Sequence, residues 1–545
     1  MREKIKKSVK DNLSEKYNVN FLDRAINFLS PTRGAERLKG RIQTAVATGG
    51  YNGGSISRRQ TKSWTPTTRD ADSETRYDRK TIINRSRDAL INNAMGGAAI
   101  NTLTLDTIGP GLKLQAQIDS DYLGMTEDEA DVWETKAERE FNLFADSKDC
   151  DLSRMQNFSD MQDLVYRSAR SSGDVFILLP TVKRRGVPFD LKLQVIEADR
   201  INNAGGQADS ANLTSGIEKD KFGAPVRVHI QKTHPGALVV KSEWDKVEIY
   251  GQKSGRLNVI HLLDIDRPGQ SRGVPFLAPV LELLKQLSDL TEAELSAAVI
   301  TSMLTVFVKS ETGESTFLGT EENGDSETTD EEYRLGNGSI VELNEDEDIS
   351  IVDPKRPNAA FDPFFQAIVR QIGARLGIPF ERLVIHFTSS YSASRGALLQ
   401  LWKLIEKERA WFARNFCDLV YHAVLDEAIS KGRIDAPGYF ANPLIKKAYR
   451  GAAWNGPTRG QIDPLKEVNA ANKRIELCIS SRTQETAEYS GRDWTNVQRK
   501  LAKETEILRE NGLYEELTEQ PAKTQLDETQ ILKDKIEELE EKENE

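Results

Sequence analysis

The side chains that could carry chemistry are few and dispersed. The five histidines, His229, His234, His261, His386 and His422, form no His-Glu-x-x-His arrangement. That spacing would put two imidazoles and a general base on one helix face around zinc. No histidine pairs with a cysteine at zinc-ligand spacing. The three cysteines, Cys150, Cys417 and Cys478, are odd in number and far apart. They read as buried thiols in a reducing compartment rather than a disulfide framework. A Gly-x-x-x-x-Gly-Lys-Ser/Thr loop is absent, which disfavours an ATP-driven motor. A Gly-x-Ser-x-Gly elbow is absent too, so no activated serine is expected on a strand-to-helix turn. The run Glu345-Asp346-Glu347-Asp348 has the charge to attract a divalent ion. It lacks the spaced ligands and central glycine of an EF-hand loop and reads as a solvated turn. These residues point to no active site, no metal and no cofactor.

The elements follow from hydrophobic periodicity. From about residue 78 the pattern is globular. Residues 80–93 and 98–107 predict helices. Gly109-Pro110-Gly111 then breaks the chain, and Leu112, Leu114 and Ala116 alternate with polar residues as in a half-buried strand. Helices follow over 127–143 and 158–171, the second opened by a Ser159/Asp160 cap signal and closed by Gly173. Residues 175–179 predict a buried strand, and 191–196, 226–231, 247–250 and 259–263 further strands, with 202–223 as loop. This middle section is α+β.

Residues 276–303 predict one helix, roughly 40 Å long at 1.5 Å per residue. Val280, Leu283, Leu284, Leu287, Leu290 and Leu295 share a stripe on it, and Pro279 sits in its first turn. Short strands over 304–308, 338–343 and 349–352 flank an acidic loop at 311–334. A second helix starts with Asp362 as N-cap and Pro363 at N1, carries Phe365, Ile368, Val369, Ile372 and Leu376 on one face, and stops at Gly377. After a Ser/Thr/Tyr-rich loop over 384–392, a third helix spans 393 to about 429. Its stripe runs Leu398, Trp402, Ile405, Phe412, Phe416, Leu419, Ala423. Long helices leaving an α+β body need neighbours to bury such stripes. Copies of the same chain, closed head-to-tail into a ring, would supply them.

The two ends differ from this body. Residues 1 to about 75 read as an arm, with 5–28 suited to short amphipathic helices. Residues 48–69, containing Gly49, Gly50, Gly53, Gly54 and Ser55, hold too little apolar surface for a core. Residues 432–512 are mixed and helix-rich. Residues 513–545 are acidic, with Ile531, Ile536 and Leu539 among Glu and Lys, as in a frayed helix or a weak coiled coil. The whole chain of 545 residues carries a net charge of -11, with 38% hydrophobic and 29% charged residues. A tight, sequence-reading DNA binder would show a basic excess that these totals lack. No run of about 18 apolar residues occurs, so no transmembrane helix is expected. Met1 to Lys10 is basic, but no apolar stretch of a secretory signal follows it.

Four groups of residues resemble the lambda-type portal family of tailed bacteriophages. The first is Arg85-Ser86-Arg87-Asp88 with Asn92-Asn93, followed by Gly109-Pro110-Gly111-Leu112. The second is Asp266-Arg267-Pro268-Gly269-Gln270-Ser271-Arg272-Gly273-Val274-Pro275-Phe276, running into Leu277-Ala278-Pro279. The third is Gly377-Ile378-Pro379-Phe380-Glu381, followed by Tyr391-Ser392-Ala393-Ser394-Arg395. The fourth is Trp454-Asn455-Gly456-Pro457, then Asp463-Pro464-Leu465-Lys466-Glu467 and Gly491-Arg492-Asp493-Trp494. They stand in order over roughly 80–505, and the second is the most specific. The wording of 384–390 departs from the family's.

The resemblance implies an α+β, portal-like subunit. Its parts would be an N-terminal arm (1–77), an α+β wing (78–273), a two-helix stem (274–303 and 359–377), a small β-containing clip (304–358), a tunnel-loop region (378–395), a long wing helix (396–431), a helical crown (432–512) and an acidic tail (513–545). It implies a homo-oligomeric ring of about twelve copies at one capsid vertex of the virion, assembled in the host cytoplasm. Double-stranded DNA would pass through the channel during packaging and ejection. The terminase large subunit, the major capsid and scaffold proteins and head-tail connector proteins would be partners, and no membrane is involved. Channel contacts would fall to Ser389, Ser390, Tyr391, Ser392, Ser394 and Arg395, whose small polar and basic groups suit phosphates without reading bases. Ser394 as a helix cap and Arg395 as an ion-pair partner are the plain alternative, and Lys403, Lys407 and Arg409 suit a solvated helix face. Arg267, Gly269, Arg272, Gly273 and Pro275 would form a rigid hinge or subunit contact before the stem. The competing expectations are a structural adaptor without a channel and a head-maturation enzyme subunit.

Overall fold

The computed structural model describes residues 26, 28–47, 51–55, 58–302, 306–310, 347–351, 360–386, 390–459, 464–491 and 494–512. Most of the expected helices at 5–28, the acidic loop at 311–334, the strand at 338–343, the tail at 513–545 and Ser389 lie outside them. The chain divides into two compact units, Met1–Asp70 and Ala71–Glu545. The first holds a helix over Pro31–Ala47 and a short 3-10 turn over Asn52–Gly54. The second holds everything described below and mixes helices with small antiparallel sheets.

Helices α1 (Arg79–Asn92) and α2 (Ala94–Thr107) pack against each other. They are separated by Asn93, whose carboxamide oxygen accepts the Gly96 amide at 2.8 Å, an N-cap. Strand β1 (Lys113–Ala116) follows, then α3 (Glu127–Ala145) with a capping box between Thr126 and Glu129. Helix α4 (Phe158–Ser172) is capped by Asn157, with Asp160 closing the box, rather than by Ser159. The cap lies one residue before the first helical φ/ψ, so Ser159 is already inside.

Gly173 ends α4, and β2 (Asp174–Leu178) begins at once. It is the centre of a three-stranded sheet, flanked by β3 (Gln194–Ile196) and β8 (Val259–Leu263). A second sheet runs β4 (Leu213–Thr214), β5 (Ile217–Lys219), β6 (Pro225–Gln231), β7 (Trp244–Glu248). The stretch 202–223 is therefore not all loop. The strand expected at 247–250 sits earlier, because Trp244 to Glu248 pair residue by residue with Gln231 to Arg227. The strand expected at 191–196 narrows, with Leu191 and Leu193 held by isolated bridges to Thr181 and Asp151.

The expected single helix at 276–303 is shorter. A 3-10 turn over Ala278–Val280 precedes α5 (Leu281–Ser302). Pro275 and Pro279 supply no amides here, and the Phe276 amide donates to the Arg170 carbonyl at 2.8 Å. The segment is docked on α4 instead of coiled. Val280, Leu284 and Leu287 are buried, whereas Leu295 is 65% exposed. Strands β9 (Val306–Ser310) and β10 (Glu347–Ile351) pair antiparallel, from Val306 against Ile351 to Ser310 against Glu347.

Helix α6 (Phe361–Leu376) returns beside α5 and starts one residue before Asp362. Ala360 occupies the cap position, so Asp362 and Pro363 lie within the first turn. Gly377 ends it at φ 75, a conformation glycine adopts without a Cβ clash.

A short helix α7 (Phe380–Val384) leads to the long one, which starts earlier than expected and is interrupted. It comprises α8 (Tyr391–Phe412), a π turn (Ala413–Cys417) and α9 (Asp418–Ser430). The inserted residue rotates the buried stripe. Leu401, Ile405, Phe412, Phe416, Val420, Val424 and Ala428 face the core, and Leu419 and Ala423 lie at its margin. Strand β11 (Ala452–Asn455) pairs with β1, and α10 (Pro464–Glu476), α11 (Arg482–Ser490) and α12 (Trp494–Glu510) complete the unit. One large apolar cluster joins α1 to α9, and a smaller one lies between the two sheets. Cys150 and Cys417 are buried. Cys478, expected inside, is exposed, because it sits at φ 55 in the turn after α10.

Candidate functional site

The segment that leads into α5 is anchored on a buried carboxylate. Asp174 opens β2 directly after Gly173, and it is fully enclosed. Arg272 grips it with Nε on Oδ2 at 2.6 Å and Nη2 on Oδ1 at 3.2 Å. The same guanidinium donates to the carbonyls of Ala198 and Ile201, both at 2.9 Å, and of Ser215 at 2.7 Å. Its face covers the Phe176 ring, 5.2 Å from the centroid. Every donor direction of the planar fork is used, which a lysine could not reproduce. Arg79 and His261 approach Asp174 at 3.3 Å each, and the Gly273 amide donates to it at 3.2 Å.

Burial by itself would raise the Asp174 pKa. Arg272, Arg79 and the hydrogen bonds outweigh it and hold the carboxyl well below its usual range. Burial and the neighbouring Arg272 push Arg79 down to about 10. Gly273 meets Gly173 so closely that a Cβ on it would lie 1.9 Å from the Gly173 carbonyl oxygen. Of the five residues expected to act as hinge or contact, Arg272, Gly273 and Pro275 therefore face this interior. Arg267 and Gly269 are exposed, Arg267 paired with Glu74 and Gly269 at φ 80.

A second buried pair ties this root to the long helix. Arg170 on α4 contacts Glu408 on α8 at 2.5 Å, and the Tyr166 hydroxyl donates to the same carboxylate at 2.8 Å. Trp411 lies under the Arg170 guanidinium, 4.2 Å from its ring centroid. Arg170 also accepts the Phe276 amide through its carbonyl, so one residue touches both the start of the helix pair and the long helix. Arg409, expected on a solvated face, instead turns inward. It donates to the carbonyls of Asp106 (3.0 Å), Thr107 (3.3 Å) and Pro457 (2.8 Å). The chain breaks at Gly109 and Pro457 meet there, leaving carbonyls that a guanidinium can satisfy.

The expected channel residues that are described, Ser390, Tyr391, Ser392, Ser394 and Arg395, stand at the start of α8. Ile385 closes α7 in the left-handed region at φ 54, and Arg382 holds that turn by two hydrogen bonds to Asp106, at 2.6 and 3.2 Å. Ser390 occupies the cap position of α8, and its carbonyl accepts the Ser394 amide at 3.0 Å. Tyr391, Ser392, Ser394 and Arg395 thus stand in the first turns of a helix rather than in a loop. Ser394 is not a cap. Arg395 is exposed. Sequence reasoning missed Asp174, Arg170 and Glu408. The signal available was a lone aspartate opening an otherwise apolar strand, and an arginine between a proline-glycine turn and a glycine.

The family model described as phage portal protein, lambda family, matches residues 57–409. Portal protein B of Escherichia phage lambda is 24% identical over 487 residues, covering 85% of this chain and 91% of its own. The portal protein of Escherichia phage N15 is 22% identical over 498 residues, covering 87% of this chain and 93% of its own. Among solved structures, the neck of an empty gene transfer agent particle, computed with C6 symmetry, aligns with a TM-score of 0.43 at 13% identity, covering 79% of this chain and 98% of that one. The family match spans well over half of the sequence, and the chain belongs to the lambda family of phage portal proteins, a structural family rather than an enzymatic one.

Proposed function

We propose that this portal protein closes into a homo-oligomeric ring, of about twelve copies, at one capsid vertex, with double-stranded DNA passing along its axis during packaging and ejection. The observation that carries this reading is the helix pair α5 and α6. At 1.5 Å per residue α5 extends about 33 Å, and only its first half is buried by its own chain. Leu295 is 65% exposed, Val299 48% and Phe364 57%. Apolar side chains of this size each contribute about 1.5–3 kcal/mol when covered, and neighbouring copies arranged side by side would cover them.

In this reading the pair is the stem (274–303 and 359–377), and the β9–β10 hairpin belongs to the clip (304–358). The body at 78–273 with the long helix at 396–431 is the wing, and 432–512 is the crown. The clip would dock the terminase large subunit during packaging and head-tail connector proteins afterwards, with capsid and scaffold proteins around the wing. Ser390 to Arg395 at the start of α8, within the tunnel-loop region 378–395, would touch passing phosphates. The clamp of Arg272 on Asp174 would hold the stem root at a fixed angle to the wing. Assembly in the host cytoplasm and residence at the virion vertex follow from the same reading. Among the described residues no helix is long and apolar enough to cross a membrane.

Negative-stain microscopy of the purified protein tests the proposal. Rings with an axial hole of roughly 20 Å or more, wide enough for a duplex and its phosphate lattice, are the expected result. Monomers or filaments would overturn it in favour of an adaptor without a channel.

A further inference from the structure

Away from the stem and the start of α8, three segments of the wing enclose a shallow depression of about 370 Å³. Its walls are the turn after α3 with Ser147, Lys148 and Asp149, the loop bearing Arg154, and the turn with Arg185, Gly186 and Val187. Three cations line it against a single carboxylate, Asp149, which Arg154 contacts at 2.7 Å. Lys148 and Arg185 are exposed, and among the described residues neither side chain has a hydrogen-bond or ion-pair partner.

The walls are built rather than loose. The Asp151 carboxylate accepts the amides of Ser153 (3.0 Å), Met155 (2.9 Å) and Gln156 (3.3 Å), and the Ser153 hydroxyl at 2.5 Å. That network holds Arg154 at φ 60, a left-handed conformation that a non-glycine residue keeps only when its surroundings impose it. Arg184 crosses between two walls, its Nη2 donating to the Leu152 carbonyl at 2.6 Å.

We infer that this depression binds phosphate groups of duplex DNA, as a contact separate from the proposed one at the start of α8. Two arginines and one lysine around one depression match tetrahedral, multiply accepting oxygens. Together they form a local basic site in a chain whose net charge is -11. The inference rests on the proposed DNA-handling role. It adds a second contact, which would hold DNA lying against the wing rather than DNA moving along the axis.

A small covalently closed duplex circle tests it, because a circle cannot thread a closed ring. Particles are first sized by sedimentation, so that a failure to form rings is seen separately from a failure to bind. Wild-type protein is expected to bind the labelled circle in fluorescence anisotropy. The double variant K148Q/R185Q, with unchanged sedimentation and circular dichroism, is expected to bind about tenfold more weakly. Its log–log salt slope should be shallower by about two, one per lost phosphate contact. The inference is overturned if wild type does not bind the circle, or if K148Q/R185Q binds it as wild type does. It is overturned in favour of an acidic protein partner if polyglutamate binds with the same dependence and displaces the circle. It is overturned in favour of free phosphate if millimolar inorganic phosphate abolishes the wild-type and double-variant difference at constant ionic strength.

Discussion

Arg272 and Asp174 form a two-pronged ion pair, at 2.6 and 3.2 Å, across a sequence separation of 98 residues. This contact joins the strand at the centre of one sheet to the segment that launches the helix pair. It is enclosed on all sides, so its partners have no water to fall back on.

Replacing Arg272 by Met leaves Asp174 buried with only Arg79, His261 and the Gly273 amide beside it. The expected loss is about 3–5 kcal/mol, as for other broken buried pairs. Arg272→Lys should lose nearly as much, because an ammonium cannot serve Asp174 and three carbonyls at once. The R272M/D174L double variant should recover part of the loss. Urea unfolding midpoints check all three, and equal midpoints for R272M and wild type would refute the role of the clamp.

Two glycines in the same segment should respond to different degrees. A Cβ on Gly273 would lie 1.9 Å from the Gly173 carbonyl oxygen, backbone that cannot yield without moving β2. Gly273→Ala should therefore destabilise by at least about 3 kcal/mol or abolish soluble expression. Gly269, at φ 80 with open space around it, should cost only the backbone strain of about 1–2 kcal/mol. Thermal melts of both variants give the comparison.

His422 should make the protein less stable in acid. Burial, with Arg450 nearby, pushes its pKa down to about 4 from 6.5, and its Nε2 lies 3.2 Å from the Arg450 carbonyl. The unfolded chain then binds a proton at a higher pH than the folded one does. Stability is thus complete above pH 6.5 and falls as the pH drops towards 4. His422→Asn should flatten this part of the profile, removing up to about 3 kcal/mol of pH dependence. Urea midpoints at pH 7, 5.5 and 4.5 for both proteins measure it, and parallel profiles would contradict it.

The exposed half of the helix pair should matter for assembly and not for folding. Leu295→Asp with Phe364→Asp removes no buried contact within the chain, so the melting curve should shift by no more than about 0.5 kcal/mol per site. Sedimentation velocity should nevertheless show a loss of large particles. Intact rings from the double variant would mean that these side chains do not face neighbouring copies.

Much of this protein is legible in its sequence. The helices α1 to α4, the buried strand after Gly173, the long helix pair and the stop at Gly377 follow from apolar spacing and turn residues, because both act within a few residues of chain. The family likeness rests on local wording of the same kind. What periodicity misplaced were the starts of helices and the extent of α5. At 271–280 the competing partner is α4, more than a hundred residues away at the contact, and its carbonyl at Arg170 takes the Phe276 amide in place of a helical bond.

The tertiary structure alone decided which charges are inside. Arg272, Arg170, Arg409, Asp174 and Glu408 belong to residue types usually left in water, and nothing within a few positions of any of them names its partner. Each is buried, or half-buried in the case of Arg409, because another element delivers the opposite charge or a row of free carbonyls to the same point. The amino-acid order settled where chain coils and where it extends, while long-range convergence settled which of its ions could leave solvent.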